Sequence, residues 1–491
     1  MSHWTPLLAH YLSDSLGGLS GFWLLIYVVM ELIGILFALE AIFKSRTSQG
    51  AIAWALGLVF LPPLVVPIYL LFGQRRFYGY IEARRKGDLD IQRIAQQLLA
   101  DMTQHFSLPG ETPAGARLLE QLALMPFTRG NRVNLLINGE QIFDELFAAI
   151  DRAKDYILLQ FYIVRDDRLG RELLARLEKK VQDGVQVYFL YDAIGSFSLP
   201  RRYLRRCRKA GIQVESFHTW RWFRRRRFQI NFRNHRKIAV IDGHEAFVGG
   251  ANIGDEYRGS HRRLTPWRDT HVKLEGPAVQ GVQLSFMEDW HWITGKVPAL
   301  NWQPVGVDSD QRVLVLPTGP ADRQETCQLM FLHAINSATE RIWIVSPYFV
   351  PDESVIKALK LAALRGVEVR IMLPGITDNR VVQLSSFAVL MSLQNSGIKS
   401  YQYRDGFLHQ KVVLVDEDRA YVGTANFDNR SFQLNFEITV MVRDTAFAAR
   451  VEQMLKEDFR ACEPFNGADL QQRSVFFRAL TKLAQLFSPI Q

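Results

Sequence analysis

The sequence predicts an α/β fold of two similar lobes, carried behind two N-terminal membrane helices. Three observations predict it. Two apolar stretches lie near the N-terminus, the same order of helices and strands recurs in both halves of the remainder, and one short motif stands twice, with its histidines at positions 235 and 409.

With 491 residues, 48% of them hydrophobic and 22% charged, the chain is long enough for each lobe to bury its own core. That composition excludes disorder and a disulfide-stapled miniprotein. Cys207, Cys327 and Cys462 are far apart and form no CxxC pair, so they read as reduced thiols without a zinc or iron–sulfur role. The net charge of +9 is modest, but its uneven placement favours an anionic partner.

Residues 22–43 (FWLLIYVVMELIGILFALEAIF) and 51–72 (AIAWALGLVFLPPLVVPIYLLF) are each long enough to reach about 33 Å as helix, the thickness of a bilayer core. Met1 to Gly21 holds no Lys or Arg, which argues for a retained anchor over a cleaved signal. Glu31 inside the first stretch and Pro62, Pro63 and Pro67 inside the second mark where each departs from a simple span. Arg75, Arg76, Arg84, Arg85 and Lys86 follow the second stretch, against Lys44 and Arg46 between the two. The bias predicts a multi-pass protein of the inner membrane with its large domain on the cytoplasmic side.

The expected organisation is an anchor over 1–73, a connector over 74–130, a first lobe over 131–292, a linker over 293–311 and a second lobe over 312–491. In the first lobe, Ile142, Phe143, Leu146, Phe147 and Ile150 recur at helical spacing, and strands are expected at 156–164, 184–192 and 211–217. In the second, strands are expected at 341–349, 366–374 and 396–403, with helices near 353–364 and 382–394 between them. The alternation predicts layered α/β cores with a substantially parallel sheet, and the recurrence predicts an internal duplication with a cleft where the copies meet.

Positions 235–242 read HRKIAVID and positions 409–416 read HQKVVLVD, each followed, after six intervening residues, by GGAN (249–252) or GTAN (423–426). The candidate catalytic residues are thus His235, Lys237 and Asp242 in one copy and His409, Lys411 and Asp416 in the other. His and Lys, two apart, share one face of an extended chain, while the Asp falls on the other face and reads as a support for the backbone. Two imidazoles suit attack on phosphorus by one and protonation of the departing alcohol by the other. Lys237, Lys411, Asn252 and Asn426 supply donors for nonbridging phosphate oxygens, and the chemistry asks for no metal or other cofactor. Among metal sets only His235, His244 and Asp242 cluster, and His244 has no counterpart in the second copy.

The duplicated His-Lys-Asp motif resembles that of the phospholipase D superfamily over about 130–480. The resemblance implies duplicated lobes with mixed sheets flanked by helices, His235 and His409 as nucleophile and general acid or base, and an acidic residue behind each histidine later in its own half. Asp269 in the first half and Glu437 in the second match that orienting role. The strings NFRNHRK, GGANIGDEY, PWRDTH, SPYFVPDE and GTANFDNRSF, together with the membrane segments, resemble bacterial cardiolipin synthases of the two-transmembrane type. That implies phosphatidyl transfer from one phosphatidylglycerol to another with release of glycerol. The motifs leave open the attacking histidine, the acyl preference and the oligomeric state.

Fourteen Lys or Arg and one acidic residue, Glu215, lie between Arg201 and Lys237, with Trp220, Trp222, Phe223, Phe228 and Phe232 interleaved. Such a run suits an anionic membrane surface and a lipid headgroup. Nucleic acid is the rival partner, and the membrane segments count against it. A membrane-bound phospholipase D, a phosphatidyltransferase with another alcohol acceptor and a non-catalytic tether are the alternative readings.

Overall fold

The computed structural model describes residues 20–45, 48–73, 89–107, 114–217, 231–261, 263–465 and 474–488. Arg46, Arg75, Arg76, Arg84, Arg85 and Lys86 lie outside the described residues, as do Trp220, Trp222, Phe223 and Phe228. The described residues fall into two compact units, one from the N-terminal apolar helices and one from nearly all the rest.

In the first unit, the helix Ser20–Lys44 is, among the described residues, the one helix long and apolar enough to cross a membrane. The second expected span is not a single helix. It breaks into Ser48–Phe60 and Pro62–Phe72, of 13 and 11 residues, each about 20 Å or less and short of a bilayer core. The cause is local: Leu61, before a proline, leaves the helical region with φ −136° and ψ 50°, and the ring of Pro62 starts the next helix. Ala38, Ala41, Leu58, Val66 and Tyr69 form the core between these helices. At Gly34 a Cβ would stand 2.3 Å from the Leu58 carbonyl oxygen, so only glycine allows the helices to approach this closely.

The second unit is built on a duplicated set of strands. The first half supplies β1 (Thr128–Ile137), β2 (Tyr156–Phe161), β3 (Gln186–Asp192), β4 (Gln213–Phe217), β5 (Arg233–Asn234), β6 (Ile238–Ile241), β7 (Glu245–Gly249), β8 (Trp267–Arg268) and β9 (Thr270–Glu275). The second supplies β10 (Gln311–Thr318), β11 (Arg341–Val345), β12 (Phe349–Val350), β13 (Glu368–Pro374), β14 (Lys399–Tyr403), β15 (Phe407–Leu408), β16 (Val412–Val415), β17 (Arg419–Gly423), β18 (Phe427–Asp428), β19 (Asn435–Arg443) and β20 (Cys462–Pro464).

Outward from the centre, the first half runs β1-β9-β7-β6-β2-β3-β4 and the second β10-β19-β17-β16-β11-β13-β14. The two orders match strand for strand, and antiparallel pairing of β1 with β10 makes one continuous sheet. The sheet is mixed, as the resemblance implied, and not the substantially parallel sheet that the alternation of helices and strands predicted. Along this strand order the parallel runs are β2-β3-β4 and β11-β13-β14, while each motif strand returns through a tight antiparallel hairpin, β6-β7 or β16-β17.

Helices cover both faces. Ile157, Leu159 and Phe161 turn one way into a core shared with the helices Asn138–Arg152 and Arg168–Gln182. Tyr188 and Gln160 turn the other way to the helix Ala278–Thr294, where Tyr188 meets Trp290 at 5.2 Å between rings and Gln160 donates to Asp289 at 2.8 Å. In the second half Trp343 meets Phe459 of the helix Thr445–Arg460 at 5.3 Å.

Candidate active site

The two motifs meet at the junction of the halves because each histidine is stitched to a strand of the other half. β5 pairs in parallel with the start of β19, and the His235 N–H donates to the Phe436 carbonyl at 2.9 Å. Reciprocally, β15 pairs with β8, and the His409 N–H donates to the Arg268 carbonyl at 2.8 Å. His235 Nδ1 then lies 2.9 Å from both carboxylate oxygens of Glu437. His409 Nδ1 lies 2.8 Å from Asp269 Oδ2.

The orienting carboxylates are therefore exchanged between halves: Glu437 of the second serves His235 of the first, and Asp269 of the first serves His409 of the second. The expected pairing within each half is corrected on this point, and its cause is the short parallel pairing that precedes each histidine. A carboxylate at Nδ1 fixes the tautomer and leaves Nε2 for chemistry.

The two carboxylates are held differently. Glu437 also accepts from Thr424 Oγ1 at 2.6 Å, Ser431 Oγ at 2.9 Å and Asn435 Nδ2 at 3.1 Å. Asp269 accepts from its neighbour's backbone, Thr270 N, at 2.9 Å and from Trp267 Nε1 at 3.3 Å. Where GTAN has Thr424, GGAN has Gly250, and a Cβ there would stand 2.0 Å from Asp269 Oδ1. The shorter carboxylate thus occupies the space that a threonine side chain would fill.

Lys237 Nζ donates to the His235 carbonyl at 2.7 Å, and Lys411 Nζ to the His409 carbonyl at 2.5 Å. Lys237, Asp269 and Glu437 have no exposed surface, and burial is the largest influence on the two lysines. It lowers Lys237 well below the usual ammonium range and Lys411 to about 8. It also drives both imidazoles to about 4, against the pull of Glu437 at His235 and of Asp269 at His409. Burial pushes Asp269 upward, yet His409 and Lys411 outweigh it and hold that carboxyl at about 2. Glu437 is likewise lowered, with His235 and Lys237 overcoming burial. Lys411 depresses His235 and Lys237 depresses His409, so the motifs of the two halves share one electrostatic site.

The asparagines differ in how far they are engaged. Asn252 Oδ1 accepts from Ile163 N at 3.0 Å and its Nδ2 donates to Tyr257 Oη at 2.9 Å. Asn426 Oδ1 is buried without a hydrogen-bond partner among the described residues. Asp242 and Asp416 stand at the far ends of their strands, about 20 Å along the chain from the histidines. Both take positive φ, 52° and 50°. Asp242 accepts from Lys154, Asp155 and Tyr156 N–H groups at 2.8 Å, and Asp416 from those of Thr339, Glu340 and Arg341 at 2.8–3.2 Å. Each thus fixes the turn that enters β2 or β11 and takes no place among the reactive groups.

Sequence reasoning missed the residues between and around the motifs. Arg236, between His235 and Lys237, donates to the Glu437 carbonyl at 3.0 Å, to Asp289 at 2.8 Å and to the Thr318 carbonyl at 3.2 Å. Arg268 makes a two-pronged pair with Asp458 at 2.7 and 2.8 Å, and Gln410 donates to the same carboxylate at 2.8 Å. The aromatic surroundings were also unseen: Tyr162 lies 4.9 Å from the His235 ring, while Trp267, Phe407 and Tyr257 stand at 5.1, 5.8 and 5.9 Å from that of His409. Phe407, two residues before His409, was the one signal that alternation along an extended segment could have given.

Residues 146–263 and 331–459 match the family model described as cardiolipin synthase, PLD-like domain, one match over each motif. A cardiolipin synthase A of Pseudomonas putida is 47% identical over 466 residues, spanning 94% of this chain and 97% of that one. The chain belongs to the cardiolipin synthase family. A second member, cardiolipin synthase A of Pseudomonas aeruginosa, is also 47% identical, over 95% of this chain and 96% of its own. Cardiolipin synthase family membership with a phospholipase D-like domain makes the chain an enzyme, a phosphatidyltransferase of phospholipid biosynthesis. The crystal structure of phosphatidylserine synthase from Haemophilus influenzae Rd KW20 superimposes with a TM-score of 0.59 over 77% of this chain and 98% of that one, at 16% identity, a likeness of fold.

Proposed function

We propose that the chain joins two phosphatidylglycerol molecules into cardiolipin and releases glycerol. One histidine Nε2 attacks the phosphorus of the first lipid, forming a P–N bond while the P–O bond to its glycerol headgroup breaks. The other histidine delivers the proton to that departing oxygen. It then takes the proton from the free glycerol hydroxyl of the second lipid, whose oxygen attacks phosphorus as the P–N bond breaks. Lys237, Lys411 and Asn426 face the nonbridging oxygens with donors, and Glu437 and Asp269 stabilise each imidazolium as it forms.

The observation that carries this reading is the exchanged pair of histidine–carboxylate couples, His235–Glu437 and His409–Asp269. With both imidazoles at about 4, an arriving phosphodiester anion supplies the charge that draws a proton onto one of them. The choice of phosphatidylglycerol rests on the relatives. The helix Ser20–Lys44 supports membrane attachment, and the basic bias after residue 72 supports a catalytic unit facing the cytoplasm.

The test uses purified full-length protein in mixed micelles with headgroup- and acyl-labelled phosphatidylglycerol. Cardiolipin and free glycerol in equal amounts are expected. Phosphatidic acid as the main product would make the enzyme a hydrolase, and product formed only with an added alcohol would make that alcohol the acceptor.

A further inference from the structure

The last described helix, Val475–Gln485, is amphipathic with its large side chains on the outside. Its small residues are the buried ones, Thr481 at 3% and Ala484 at 6% exposure, where it packs on the helix Arg380–Leu393. Phe476, Leu480, Leu483, Leu486 and Phe487 form an outward stripe at helical spacing, with Phe476 78% and Leu486 73% exposed. Single exposed apolar residues are ordinary on a protein surface, whereas a contiguous stripe marks a contact surface.

Two further facts bear on what covers the stripe. From Gln471 to Gln491 the sequence carries Arg473, Arg478 and Lys482 and no acidic residue. Arg478 and Lys482 are exposed one turn apart beside the stripe. A symmetric pairing of two such helices would bring like charges together, while an anionic lipid surface would neutralise them. The helix end is also fastened to the reactive region: the Ser488 carbonyl accepts from Asn429 Nδ2 at 3.0 Å. Asn429 lies three residues after Asn426 and two before Ser431, which holds Glu437.

We propose that Val475–Gln485 is a membrane-docking helix that lies in the interface of an anionic bilayer and holds the mouth of the His235–His409 site against the lipid from which substrate is drawn. The proposal rests on the lipid reading of the site and adds to it a second point of attachment, separate from the N-terminal helix.

Two measurements on the full chain in vesicles of phosphatidylglycerol and phosphatidylcholine test it. A fluorophore on Leu483→Cys, in a Cys462→Ser background, should be quenched by lipids carrying a nitroxide on the acyl chain. Emission typical of water that the nitroxide lipids leave unchanged would overturn docking, as would burial that depends on protein density, which would assign the stripe to a second copy. The variant F476E/L483E/F487E should lose about tenfold or more of its activity on vesicles while keeping within about twofold of wild type on short-chain phosphatidylglycerol dissolved below its micelle concentration. Equal loss on both substrates, or loss on neither, would overturn the proposal. A wild-type protein that turns over neither lipid would count against the proposed reaction, while the quenching still reads the docking by itself.

Discussion

His235 and His409 are held neutral by their surroundings. Burial takes both imidazoles to about 4, and the adjoining carboxylates, which pull the other way, keep them from falling further. The exchanged pairing makes this separable. Glu437→Gln should lower the His235 pKa and leave His409 nearly in place, while Asp269→Asn should do the reverse, as read by NMR titration of labelled histidine. Each change should also cut kcat by about 10²–10⁴, the range for losing a proton-transfer group or its tautomer.

The same values set the pH dependence. The kcat/KM should fall below about pH 4, where the attacking nitrogen is protonated, decline above it as the other histidine loses the proton it must deliver, and fall further above about pH 8, where Lys411 loses its charge. A folded-state histidine pKa near 4 against 6.5 unfolded means that the unfolded chain binds more protons between those values. Stability therefore rises with pH through that window, and a lower melting temperature at pH 5 than at pH 7 is expected.

The strands decide which of these residues could be read in advance. The motif spacing exposed both His-Lys pairs, because identical offsets 174 residues apart need only the sequence. The phospholipase D resemblance pointed to Asp269, just before β9, and to Glu437, near the start of β19. What it could not give was their partners. Sequence offsets say which strand follows which, whereas the exchange depends on β5 meeting β19 and β15 meeting β8, contacts between segments about 200 and 140 residues apart.

Gly250 shows the same limit in a smaller space. GGAN against GTAN was visible, but its reason, the Asp269 carboxylate lying where a Cβ would go, was not. Gly250→Thr should push Asp269 off His409, cutting kcat by about 10²-fold or more and costing about 1–3 kcal/mol of stability, measured by steady-state assay and by chemical unfolding.

Across the whole chain, the duplication was legible because each half keeps the same order of elements, and the continuous sheet was not, because β1 and β10, which join the halves, lie far from the motifs and outside the segments the sequence predicted as strands. The membrane region was legible in part: apolar length identified Ser20–Lys44, while Pro62 and Pro63 divide what length alone had made a second span. The continuous sheet has a chemical consequence. It brings the two motifs into one site, and in the proposed reaction a single phosphorus is attacked there first by an imidazole and then by an alcohol along the same line.

Two in-line displacements restore the configuration at phosphorus, and one inverts it. The decisive measurement is the stereochemical course of transfer by the full-length protein from a phosphatidylglycerol analogue carrying a chiral phosphorothioate. Retention is the predicted result, with His235 and His409 acting in turn on one centre, and inversion would contradict it.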